Sequence, residues 1–159
     1  MLIDPTLRTV HPNLTEYFKT DALEFDAPAL AHGVNIMGLM GGGIALQIAQ
    51  KYPMVESAYR TACKTRKLRI GGCFPVTTSR AGAPYVIYNL ATQVEPGPHG
   101  SLTAVDIAVG RMVQHALDHG INHIAMPRIG CGIGGLRWQD VMFILNGHCS
   151  QVKFSVCSI

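Results

Sequence analysis

The chain has 159 residues, of which 48% are hydrophobic and 14% charged, with 17 Gly, 9 Pro and a net charge of +3. That length fills one compact domain, expected to span 1–159, and leaves no room for a second. An ordinary apolar share excludes disorder, although charge falls below the roughly 25% usual for soluble chains. No run approaches the ~18 apolar residues of a membrane span, and Asp4 and Pro5 stand where the apolar part of a signal peptide would begin. A cytoplasmic protein with no membrane partner is expected. The cysteines are odd in number and lack C-x-x-C spacing, which argues against a disulfide framework or a structural metal.

Taken in chain order, 15–20 (TEYFKT) and 27–34 (APALAHGV) read as strands, the second apolar enough to be covered on both faces. A helix follows over 43–51, where Ile44/Ile48 and Ala45/Ala49 share one face and Pro53 stops the run. A second helix is predicted over 55–64. Strands at 72–78 and 84–90, divided by the turn Arg80-Ala81-Gly82, suggest an antiparallel hairpin. The apolar stripe Leu102, Val105, Val109, Met112, Val113 and Ala116 predicts a helix over 101–119 that Gly120 closes. A buried strand at 121–129, a helix at 136–146 and a strand at 152–157 complete the pattern. Strands alternating with helices imply an α/β fold: a three-layer α/β/α sandwich around a mixed, largely parallel sheet.

Two glycine-rich loops, 38–43 and 130–135, each follow a buried strand and precede a helix. Strand ends are where open α/β sheets bind ligands. Glycine lets backbone N–H groups approach an anion, and a helix N-terminus adds a favourable dipole. Two such loops could hold a diphosphate between them. Neither carries the Gly-Lys-Ser/Thr of a P-loop or the G-x-G-x-x-G dinucleotide fingerprint, so kinase, ATPase and dehydrogenase readings lose their support.

The segments Lys19-Thr20-Asp21-Ala22-Leu23, Ala31-His32-Gly33-Val34-Asn35, Met40-Gly41-Gly42-Gly43-Ile44-Ala45 and Met126-Pro127-Arg128-Ile129-Gly130-Cys131-Gly132-Ile133-Gly134-Gly135-Leu136-Arg137-Trp138 together resemble the macrodomain family. The likeness is to the subgroup of terminal ADP-ribose protein glycohydrolases and ADP-ribose 1″-phosphate phosphatases. It implies an ADP-ribose cleft in which Asp21, beside Ala22, reads adenine. Gly41, Gly42, Gly43 and Ile44 would flank distal ribose and diphosphate, and Ile129, Gly130, Cys131, Gly132, Ile133 and Gly134 would form a second phosphate loop. Asn35, His32 and Gln93 would line the reactive end next to Thr92, His32 as a general acid or base if it faces the cleft and as a buried structural histidine otherwise. The other six histidines are expected at the surface.

The chain also departs from that subgroup. Its Thr-Lys pair, whose lysine attacks the ribose, corresponds to Thr92-Gln93, and an amide cannot be that nucleophile. Its second-loop aspartate corresponds to Gly134. What remains is hydrolysis by a water near the substrate diphosphate, phosphate-monoester cleavage, or a non-catalytic reader of ADP-ribose. A Cys131 thiolate nucleophile is a separate option, weighed against a small cysteine packed behind the loop. Another nucleotide ligand is a third class. No cofactor and no catalytic metal are called for. The basic stretch Arg60, Lys64, Arg66, Lys67 and Arg69 reads either as a solvated helix face or as a nucleic-acid surface.

Overall fold

The computed structural model describes residues 4–159; residues 1–3 of the expected single-domain span lie outside it. In chain order the elements are β1 (Leu7–His11), β2 (Leu14–Phe18), β3 (Ala29–Asn35), α1 (Gly43–Lys51), α2 (Pro53–Lys64), β4 (Cys73–Arg80), β5 (Ala83–Gln93), α3 (Leu102–Asp118), β6 (His123–Met126), α4 (Trp138–Asn146) and β7 (Lys153–Ser158). The 7 strands form one sheet in the order β1-β2-β7-β6-β3-β5-β4. Its inner pairings are parallel, and antiparallel β1 and β4 close the two edges.

Alternation along the strands divides the core. Ala29, Ala31, Tyr88, Leu90 and Met126 face α3 and α4, where they meet Val105, Met112, Val141 and Leu145. Leu30, Ile87 and Ala125 turn to the other face and pack on Ile48 of α1 and Val55 of α2, with Val34 and Ala91 against Tyr59 and Ala62 of α2. The result is the expected three-layer sandwich, and each fully buried aliphatic side chain contributes roughly 1.5–3 kcal/mol.

Differences from the sequence reading have local causes. Pro53 does more than stop α1: it is the first residue of α2, where a fixed φ and a missing N–H suit the helix start. β1 carries too little apolar character to announce itself, because as an edge strand it is exposed at Arg8 and Thr9. β6 is only 4 residues long, because Pro127 has no N–H to continue the ladder. The β4–β5 hairpin closes through Ala81 and Gly82, both at positive φ, the geometry that matches strand twist.

β3 hands the chain to α1 on one face of the sheet, whereas its neighbour β6 hands it to α4 on the other. Connections that diverge from adjacent parallel strands open a crevice at their carboxyl ends.

Candidate functional site

That crevice is a cleft of about 690 Å³ walled by the β3–α1 loop, the end of β5 and the β6–α4 loop. In the first wall, Gly41, Gly42 and Gly43 lead into α1. Gly42 caps the helix without a side-chain bond, and the first turn holds no acidic residue. The N–H groups at the start of α1 are therefore free for an anion, with the helix dipole behind them. In the opposite wall, Gly135 N–H closes on Gly132 O at 3.2 Å and Leu136 N–H on Gly130 O at 2.9 Å. Among the described residues, the N–H groups of Gly132, Ile133 and Gly134 bond to no other backbone carbonyl. The walls meet at Ile133, whose Cδ1 would lie 2.9 Å from a Cβ at Gly42.

Two amides sit at the strand ends. Asn35 Nδ2 donates to Leu39 O at 2.8 Å, while its Oδ1 accepts from Met37 N at 3.0 Å and Leu39 N at 3.3 Å, and Tyr59 OH donates to the Asn35 backbone oxygen at 2.6 Å, with Oδ1 at 3.0 Å beside it. Asn35 thus pins the β3–α1 loop, leaving one Nδ2 hydrogen for the cleft. Gln93 Nε2 donates to Glu95 O at 2.7 Å and Gly97 O at 2.9 Å. Two carbonyl partners fix which end of the amide is nitrogen. Oε1 consequently points the other way, 2.9 Å from where a Gly134 Cβ would stand.

The Macro domain model matches residues 31–145. The chain belongs to the Macro domain family. It is 36% identical over 125 residues to the DNA ADP-ribosyl glycohydrolase of Mycobacterium tuberculosis, a match spanning 79% of this chain and 36% of that protein. It is 27% identical to human ADP-ribose glycohydrolase OARD1, covering 82% of each. The solved macrodomain of Mycobacterium tuberculosis DarG superposes with a TM-score of 0.81 at 32% identity, covering 89% of this chain and 95% of that one.

In this macrodomain the cleft gathers most residues singled out from the sequence: Asn35, Gly41, Gly42, Gly43, Ile44, Thr92, Gln93, Ile129, Gly130, Gly132, Ile133 and Gly134 all line it. Asp21 and Ala22 lie outside this cavity. Asp21 accepts from Leu23 N at 2.9 Å, capping the turn after β2, and Ala22 is in the core. Cys131 also faces away from the cavity: its Sγ donates to Ile129 O at 3.4 Å, and burial pushes the thiol up to about 11. His32 is fully buried on the α1/α2 side of the sheet, bonded through Nε2 to Asn89 Oδ1 at 2.7 Å. Burial lowers its pKa to about 4, so it is neutral and away from the cleft.

Three other histidines, only partly exposed, have side-chain partners. His115 meets Tyr88 OH at 2.8 Å, His123 meets Ser155 Oγ at 2.7 Å, and His148 meets Asp106 at 2.6 Å. No periodicity reveals such partners, since each lies on another element. Cleft residues that sequence reasoning gave no role include Leu39, Pro96, Pro127 and Arg128. Arg128 stood inside the motif that carried the resemblance, and only its side-chain direction was missing.

Proposed function

We propose that this macrodomain is an ADP-ribosyl hydrolase that breaks the bond between the anomeric carbon of the distal ribose and the group attached there. The observation that carries the reading is the Gln93 amide, clamped by Glu95 O and Gly97 O so that Oε1 is a fixed acceptor beside Gly134 at the reactive end. The two runs of free N–H groups suit the diphosphate, and an acceptor held there orients a water. The water adds to the anomeric carbon as the bond to the attached group breaks. That group leaves with the bonding electrons, and the water's proton passes by way of the diphosphate to solvent. Preorganised N–H donors stabilise the charge involved without reorganising.

Relatives named DNA ADP-ribosyl glycohydrolase support a nucleic-acid substrate. So does the surface beside the cleft: Arg60 packs behind the β3–α1 loop, its Cγ 3.5 Å from a Cβ placed at Gly38. Exposed Lys64, Arg66, Lys67 and Arg69 extend the positive face, although Arg60 also pairs with Glu56 at 3.4 Å. Such a face would hold phosphates of the modified strand and make binding fall with salt.

The experiment is hydrolysis in oxygen-18-labelled water, with an ADP-ribosylated DNA oligonucleotide and, separately, ADP-ribose 1″-phosphate. Label in the released ADP-ribose supports attack at the anomeric carbon. Label in phosphate instead moves the chemistry to phosphorus. A second reading, a reader that binds ADP-ribose without consuming it, is favoured by one observation: among the described residues, no Asp, Glu, His, Lys or Cys lines the cleft. Tight binding of both substrates with neither consumed would select it.

A further inference from the structure

Arg128 is the one charged residue lining the cleft among the described residues. Its surroundings hold it in place. The guanidinium lies over the Trp138 ring, 5.1 Å from its centroid, and Nη2 stands 3.5 Å from Glu16 Oε1. Glu16 is only 3% exposed. It accepts a 2.8 Å bond from Trp138 Nε1 at the same oxygen, and Arg8 Nε bonds its other oxygen at 2.9 Å. One buried carboxylate thus sits between two guanidinium groups and an indole, and the three ionised side chains sum to +1. A buried carboxylate with this many donors is satisfied, so the surplus positive charge falls to the arginines. Arg8 lies toward the sheet edge on β1, whereas Arg128 lines the cleft.

Arg128 Nε is buried and bonds to nothing in the protein. A guanidinium carries five N–H donors in a planar fork; here Trp138 covers a face and Glu16 stands at Nη2, which leaves other edge donors for a ligand. Nε itself is closed off, but the side chain as a whole is 38% exposed, so its outer N–H groups are what an anionic ligand can reach. Arg128 stands two residues before Gly130, at the base of the β6–α4 loop, where the free N–H groups already suit an anion.

We propose that Arg128, stacked on Trp138 and oriented by Glu16, is the side-chain cation that binds the diphosphate of the ligand. The proposal rests on the ADP-ribose reading of the cleft. It makes Arg128 a discriminator of charge: ligands that carry phosphate gain its ionic hydrogen bonds, and the bare nucleoside does not. Trp138 and Glu16 act through it as positioning residues.

The test is calorimetric binding of ADP-ribose, ADP and adenosine to wild type, Arg128→Gln, Arg128→Lys and Trp138→Phe, at two salt concentrations. Expected are a loss of about tenfold or more in ADP-ribose and ADP affinity for Arg128→Gln, no change for adenosine, and a shallower salt dependence. Arg128→Lys should recover part of the loss, because it restores the charge without the fork. Trp138→Phe keeps a ring under the guanidinium and removes the Glu16 bond, with a smaller loss of about threefold expected for the same two ligands. Equal binding by Arg128→Gln and wild type overturns the proposal, as does an equal loss for adenosine. If Arg128→Gln does not fold, Arg128→Lys decides: unchanged ADP affinity and salt slope would tell against the fork. Wild-type protein that fails to bind ADP-ribose defeats the cleft reading itself and this proposal with it, whereas normal wild-type binding with an indifferent Arg128→Gln defeats this proposal alone.

Discussion

His32 on β3 and Asn89 on β5 face each other across a parallel pairing in the core, with His32 Nε2 2.7 Å from Asn89 Oδ1. Asn89 Nδ2 donates to Phe74 O at 3.0 Å, which fixes the amide, makes Oδ1 the acceptor and so places the His32 proton on Nε2. Nδ1 is left buried without a partner, so protonating it inside the protein has no compensating acceptor. The folded-state pKa is accordingly lowered to about 4.

The sign of the pH dependence follows. Below about pH 6.5 the unfolded chain binds a proton at His32 that the native state refuses. Stability from this group is full above that value, falls as pH drops towards about 4, and levels off below. The window is worth roughly 3 kcal/mol by linkage. Urea denaturation across it should show this loss, and His32→Gln should flatten the profile. Because His32 is remote from the cleft, that variant should bind ADP-ribose at neutral pH within about twofold of wild type; a large drop in turnover at unchanged affinity would refute this placement.

Asn35→Ala removes the anchor of the β3–α1 loop, breaking its bonds to Met37 and Leu39 together, while Tyr59 OH keeps its 2.6 Å bond to the backbone oxygen of residue 35. A cost of roughly 2–4 kcal/mol is expected from losing several buried hydrogen bonds. Tyr59→Phe, which leaves the Asn35 bonds to Met37 and Leu39 intact, should cost only about 1 kcal/mol. Thermal melts read both, and hydrogen exchange at Met37 and Leu39 should accelerate in Asn35→Ala far more than in Tyr59→Phe.

Glycines 134 and 41 should respond differently to alanine. A Cβ at Gly134 would meet Gly130 O at 2.7 Å and Gln93 Oε1 at 2.9 Å, while one at Gly41 meets nothing within 4 Å. The first neighbour is backbone and cannot swing aside, so Gly134→Ala should destabilise by roughly 1–3 kcal/mol and lower turnover by displacing Gln93. Gly41→Ala should leave the melting temperature unchanged. Denaturant midpoints for the two variants, measured side by side, decide it.

Cys131 is expected to be chemically quiet. Its thiol titrates near 11 because burial opposes the thiolate, so at neutral pH almost none is ionised. Cys131→Ser should keep hydrolysis within about twofold, and iodoacetamide should label this position slowly without inactivating the protein. Rapid inactivation by the reagent, mapped to Cys131, would restore the nucleophile option.

Local patterns carried the helices well. α1 over Gly43–Lys51 and α3 over Leu102–Asp118 follow their apolar spacing almost to the residue, because a face repeating every three to four positions buries only as a helix. The glycine loops were equally legible, since few other residues tolerate a backbone that crosses so near a neighbour. β1 was not: an edge strand needs no apolar alternation when one side faces water. Which side a strand residue faces relative to the helices depends on register and handedness of connection, so His32, one step from cleft-lining Gly33 in sequence, lies instead in the core behind it.

The order of elements, the two phosphate-suited loops and the family are properties of the chain's own periodicity and motifs, determined by residues a few positions apart. The roles of single side chains are not. Gln93 ends β5 while Gly134 lies in the β6–α4 loop, and Arg128 lies in that loop with Trp138 on α4 and Glu16 on β2, so their meeting depends on long-range pairing of the strands. Only the folded sheet decided that His32 and Cys131 would be neutral and withdrawn while Arg128 joined Trp138 and Glu16 at the cleft wall, because burial and partnership set a side chain's chemistry and neither is written in its neighbours along the chain.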